Sequence, residues 1–138
     1  IHLANSMKEK AYCPYSNFRV GAVLEICGGE GGIADFVPGC NVENGSYGLT
    51  QCAERTALCG AIAAGFKPST FSTMYISADS PTPTPPCGAC RQFMSEFNPD
   101  MKIVLINNNL VTHSLSLSEL LPMSFSGKDT KIAQGRIA

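Results

Sequence analysis

Three cysteines constrain this chain more than any other feature. Cys87 and Cys90 stand three positions apart, directly after Pro86 and at the start of a helical pattern. That spacing brings both sulfurs to one face of a helix, a common half-site for zinc. A half-site needs further ligands, and Cys52 opens a second helical run. The fold must then set two helix N-termini side by side, where unpaired backbone N–H groups and the positive dipole end favour thiolate over thiol. Three protein ligands leave a fourth position free. A catalytic zinc keeps water in that position, whereas a structural zinc closes it with a fourth side chain.

The remaining pattern supplies a frame for such a site. Ile1 to about Tyr12 has near-helical apolar spacing and is stopped by Pro14, and Cys13 to Asn17 reads as a loop. Val20 to Cys27 and Ile33 to Val42 read as strands joined by the turn Gly28-Gly29-Glu30-Gly31-Gly32. This glycine cluster lacks the Lys-Ser/Thr ending of a phosphate-binding loop and precedes no helix pattern. Cys52 to Ala64 is a predicted buried helix ended by Gly65, followed by a strand at Met74 to Ala78. A proline-rich link, Pro81 to Pro86, leads to a helix from Cys87 to about Phe97, which Asn98-Pro99 halts. Ile103 to Ile106 and Val111 to Leu117 are further strands, and Ser118 to Pro122 is a short last helix before a polar tail. A hairpin followed by strands alternating with helices implies an α/β fold: a three-layer α/β/α sandwich with a central mixed sheet of about five strands.

At 138 residues and 44% hydrophobic the chain is expected to form a single domain over residues 1–138. The net charge of -1, with no Lys/Arg block, argues against a nucleic-acid partner and suits a small molecule. No apolar run reaches the roughly 18 residues of a membrane span, and no basic segment leads into an apolar one, so no membrane association is expected. The chain begins at Ile1, which leaves its upstream boundary open. Seven cysteines, an odd number that includes a Cys-x-x-Cys, suggest thiols kept reduced or metal-bound, hence a cytoplasmic protein. Cys13, Cys27, Cys40 and Cys59 lack mutual metal spacing and read as small core residues; His2 and His113 lie outside every motif.

Glu54, two residues beyond Cys52, belongs beside the open face of the metal without ligating it. Zinc brings the pKa of bound water near 7 in favourable sites, and a neighbouring carboxylate can take that proton and deliver it to a substrate. Cys52-Ala53-Glu54 with Pro86-Cys87-Gly88-Ala89-Cys90 matches the established signature of zinc nucleobase deaminases.

On these residues the chain strongly resembles cytidine deaminases of the small, free-nucleoside type. The likeness extends to Tyr15-Ser16-Asn17-Phe18-Arg19-Val20-Gly21-Ala22, Gly39-Cys40-Asn41-Val42-Glu43-Asn44, Arg55-Thr56-Ala57, Arg91-Gln92 and Leu120-Leu121-Pro122. The resemblance implies one Zn²⁺ per chain on Cys52, Cys87 and Cys90, with Glu54 as the catalytic acid-base. It implies hydrolytic deamination of cytidine and deoxycytidine to uridine and deoxyuridine, in pyrimidine salvage, by a homotetramer. Asn41 and Glu43 would hydrogen-bond the ribose hydroxyls and Phe18 would pack near the pyrimidine. Ala53, Tyr47 and Phe125 join the substrate-binding set, Phe125 by reaching a neighbouring subunit's pocket. Arg55 would bond to the zinc thiolates, offsetting the net -1 charge that three thiolates give one Zn²⁺. Gly48-Leu49-Thr50-Gln51 departs from the usual family run, as do the long glycine turn and Cys13.

Two other readings fit less well. A structural zinc module would want a fourth ligand and no Glu54. Deaminases acting on polynucleotides commonly carry His at the Cys52 position and need a surface to guide a strand, while antibiotic-type relatives lack the full Asn41 to Asn44 block.

Overall fold

A computed structural model describes residues 1–133 of the chain. Its sheet has five strands, β1 (Val20–Ile26), β2 (Asp35–Cys40), β3 (Phe71–Ala78), β4 (Lys102–Ile106) and β5 (Thr112–Ser116), in the order β2-β1-β3-β4-β5. β3 and β4 are parallel and the other neighbours antiparallel. The parallel pair needs a long crossover, and a helix supplies it. The helices are α1 (His2–Met7), α2 (Ala53–Ala63), α3 (Gly88–Phe97), α4 (Leu117–Leu120) and α5 (Gly127–Ala133).

Strand alternation divides the sheet into two apolar faces. Ala22, Leu24, Met74, Ile76, Ile103 and Leu105 turn to one face and pack with Ala57, Leu58 and Ala61 of α2 and Met94 of α3. Val23, Val104 and Ile106 turn to the other, where Ala4 of α1 covers them. Helices thus lie on both faces of a mixed sheet, as the sequence pattern implies.

Two glycines set how α2 sits. A Cβ at Gly39 would stand 2.5 Å from the Ala53 carbonyl and 2.6 Å from the Ala57 nitrogen, so only a bare backbone lets β2 approach α2 this closely. At the other end Gly65 has φ +91. Its N–H reaches the Ile62 carbonyl at 3.0 Å while that of Phe66 reaches Ala61 at 3.1 Å, the double bond of a Schellman cap.

Several boundaries differ from expectation. The first helix stops at Met7 and tightens into a 3-10 turn, Lys8–Lys10, which carries the Lys8 ammonium inward to Asp79 at 3.2 Å. The second strand ends at Cys40, because the Asn41 carbonyl turns to accept from Tyr12 N–H at 2.9 Å. β3 begins at Phe71, earlier than the Met74 expected, pairing with β1 through polar Thr73. Cys13 and Cys40 are half-buried and Cys27 and Cys59 exposed, so none of the four is a core residue. The polar tail contains α5, and residues 134–138 lie outside the described residues.

Candidate active site

Cys52 is the N-cap of α2 and Cys87 the N-cap of α3, with Cys90 in the following turn. Neither cap position uses its side chain to bond the helix, so both sulfurs are free for another partner. The three Sγ atoms lie within 4.8 Å of one another, and Cys52 and Cys87 are 3.9 Å apart. Sulfurs bound about 2.3 Å from one tetrahedral centre stand about 3.8 Å apart, so the trio fits zinc. Among the described residues no fourth His, Cys, Asp or Glu joins the group. Hydrogen bonding from Cys90, then from Arg55 and Cys87, outweighs burial and brings Cys52 down to about 5. Cys90, bonded to Cys52 and fully buried, is pushed up.

Arg55 stands one turn along α2 and bonds its Nη2 to the Cys52 sulfur at 3.4 Å and to the Thr50 carbonyl at 3.3 Å. Its Nε is buried without a partner among the described residues. The structure thus sets the Arg55 guanidinium against the Cys52 sulfur.

Cys52 and Cys87 open onto a cavity of about 270 Å³, formed where β1 begins and β3 ends, with Cys90 buried behind them. Glu54, Ala53, Phe18, Asn41 and Glu43 all line it. Glu54 is only 4% exposed. Burial raises its carboxyl to about 7, opposed by a backbone hydrogen bond and reinforced by the Cys52 charge. Such a group gives and takes a proton near neutrality.

Asn41 and Glu43 reach the cavity from the stretch after β2, already engaged with the chain. Asn41 accepts from Val20 N–H at 2.9 Å and donates to the Phe18 carbonyl at 2.8 Å. Glu43 accepts from the N–H groups of Tyr15 and Ser16 at 3.0 and 3.1 Å and from the Ser16 hydroxyl at 2.5 Å. These bonds, the Ser16 hydroxyl foremost, hold its carboxyl below the ordinary range. An amide keeps a further N–H and a carboxylate further lone pairs for a ligand.

Tyr47 and Phe125 do not line this cavity and are 76% and 61% exposed. Tyr47 meets Tyr15 edge-on at 5.9 Å, and the Phe125 carbonyl accepts from Gln92 at 2.9 Å. Sequence reasoning missed Ser16, Thr50, Thr84 and Pro85 as lining residues. The proline-rich link was the available signal, since it must enter α3 beside Cys87. Arg91 fixes that entry by bonding the Pro86 and Leu120 carbonyls, both at 2.8 Å.

Residues 1–106 match the family model described as the cytidine and deoxycytidylate deaminase zinc-binding region. The chain is 45% identical over 130 residues to a cytidine deaminase of Halalkalibacterium halodurans, covering 94% of this chain and 93% of the relative. It is 41% identical over 127 residues to one of Sporosarcina psychrophila, covering 91% and 88%. The crystal structure of a cytidine deaminase from Burkholderia pseudomallei superposes with a TM-score of 0.83 at 46% identity, covering 91% of this chain and 95% of that one. The chain belongs to the cytidine deaminase family of zinc-dependent hydrolases, and its three thiols are positioned to hold one zinc ion.

Proposed function

We propose that this protein deaminates cytidine and deoxycytidine hydrolytically, releasing ammonia and leaving uridine or deoxyuridine. The observation that carries this reading is the buried Glu54 carboxyl in a nucleoside-sized cavity beside Cys52, Cys87 and Cys90. Cys52, Cys87 and Cys90 would hold the zinc, which would supply an activated water when bound. Glu54 moves the protons: one of the water's two goes to N3, where it stays in the product. The other goes to the departing amine as the C4–N bond breaks and C4 keeps the water oxygen. Cytidine plus water thereby balances to uridine plus ammonia.

Phe18 packs on the pyrimidine, while Asn41 and Glu43 hold the ribose hydroxyls with the hydrogen-bonding capacity their own contacts leave spare. Ala53, between the cap cysteine and Glu54, presents one of the unpaired N–H groups of a helix start to the ligand. Arg55 draws charge from the Cys52 sulfur and keeps the site electrophilic. The chain acts as a single domain within a homotetramer, in which Tyr47 and Phe125, exposed in one copy, face neighbouring subunits. Free thiols at all seven cysteines suit a reducing cytoplasm and a role in pyrimidine salvage. Among the described residues no helix is long and apolar enough to cross a membrane.

The direct test is purified protein with cytidine, following loss of the amino-pyrimidine absorbance alongside ammonia. Stoichiometric uridine and ammonia support the proposal; a zinc-loaded protein that leaves cytidine unchanged refutes it.

A further inference from the structure

Phe18 and Val20 line the cavity, as does Ala78, which pairs with Val20 across the β1–β3 ladder. Arg19 lies between the first two, and its guanidinium takes both oxygens of Asp79: Nε to Oδ2 at 2.7 Å and Nη2 to Oδ1 at 3.3 Å. The backbones join at the same point, Asp79 N–H to the Arg19 carbonyl at 3.0 Å. Two further charges face this pair from the turn after α1. Lys8, only 6% exposed, reaches Asp79 Oδ1 at 3.2 Å, and Glu9 reaches Arg19 Nη1 at 3.0 Å. From the cavity side Asn41 spans the same residue, bonding Val20 N–H and the Phe18 carbonyl. Residue 19 is thus gripped twice, by an amide at its backbone and a carboxylate at its side chain.

The grip matters because Phe18 is itself more than a third exposed and follows Asn17, whose φ is +54. With more than a third of the residue open to solvent, packing alone does not fix the ring, and its direction depends on the backbone that carries it. We propose that Arg19 and Asp79 are positioning residues for the substrate, a bidentate pair outside the cavity that holds Phe18 at the angle needed to meet the base. The inference rests on the cavity being the nucleoside site. A planar fork spanning two carboxylate oxygens fixes orientation as well as distance, which a lysine ammonium does not.

The test is cytidine kinetics on the zinc-loaded enzyme for Arg19→Ala, Arg19→Lys and Asp79→Asn, with zinc content and thermal midpoint measured on each. The Arg19 variants leave Lys8 paired with Asp79, so no buried charge is stranded. Arg19→Ala should raise KM about tenfold with kcat within about twofold and full zinc, the pattern of lost binding. Arg19→Lys should recover part of that loss, and Arg19→Ala with Asp79→Asn together should cost no more than the worse single change. A merely structural pair would lower the thermal midpoint and the active fraction, so kcat would fall at unchanged KM; that result overturns the inference. An unchanged KM in stable, zinc-loaded Arg19→Ala does so too, with wild-type turnover leaving the nucleoside reading intact. Wild-type protein that fails to turn over cytidine overturns both.

Discussion

Arg55 ties Cys52 to the loop before it, giving one N–H to the sulfur at 3.4 Å and another bond to the Thr50 carbonyl at 3.3 Å. Arg55→Ala removes the charge that steadies the thiolate and frees the loop that walls the cavity. Zinc affinity should fall about 10- to 100-fold, the usual cost of losing a group that supports a metal ligand. Competition against a chelator of known affinity measures it. Retention equal to wild type would make Arg55 a loop anchor alone.

With zinc stripped, Cys52 should react as a thiolate well below neutrality, since Cys90 and Arg55 hold it at about 5. Alkylation of Cys52, followed by peptide mass spectrometry, should keep most of its rate from about pH 8 down to about pH 6. Zinc should protect it. A rate falling about tenfold per pH unit over that range, as for an ordinary thiol, would contradict the coupling.

The elements that position the metal were legible because their signals are local: cysteine at a helix start, Cys-x-x-Cys, Gly65 after an apolar helix. The cavity wall was less so. Thr84 and Pro85 lie in a link whose end, Pro86, is held by Arg91, and Arg91 is itself fixed from across the fold by the Leu120 carbonyl. The strand expected from Met74 begins at Phe71, where Ser72 bonds its hydroxyl to the Glu25 carbonyl at 3.1 Å and Thr73 pairs with Glu25, partners supplied by another strand. Burial of Lys8 could not be read locally either, because its partners, Asp79 and Asn108, arrive from the ends of other strands. Tyr47 and Phe125, of which Phe125 is expected to reach a neighbouring subunit's pocket, do not line the cavity of their own chain.

Gly39→Ala should show how tightly the sheet carries the metal helix. The added methyl meets backbone atoms of Ala53 and Ala57, which have no rotamer to yield. Overpacking of this kind costs about 1–3 kcal/mol, and the displaced start of α2 should also weaken zinc binding. Chemical denaturation and zinc titration check both; an unchanged midpoint would mean that β2 and α2 sit less closely than described.

Asp79 is held below its ordinary value of 3.8, chiefly by its bond to Arg19. A depressed carboxylate contributes stability that is complete above its unfolded pKa and lost as pH falls through the folded one. The stability difference between wild type and Asp79→Asn should be level above about pH 5 and narrow progressively as the pH falls below the ordinary value of 3.8. Denaturation across that range tests it, and a gap that widens in acid would reverse the sign.

Glu54→Gln is the measurement that bears most directly on the whole account. The three thiols that hold the metal are untouched, and an amide of the same shape fills the same buried space. The variant should therefore bind zinc as wild type does and remain folded. Cytidine deamination should drop by at least about 10²- to 10⁴-fold, the usual contribution of a positioned acid-base, because among the described residues no other carboxyl is buried in the cavity beside the metal ligands to move protons to N3 and the amine. Turnover near the wild-type rate with zinc in place would contradict the mechanism, and loss of zinc with activity would place Glu54 among the groups that hold the ion.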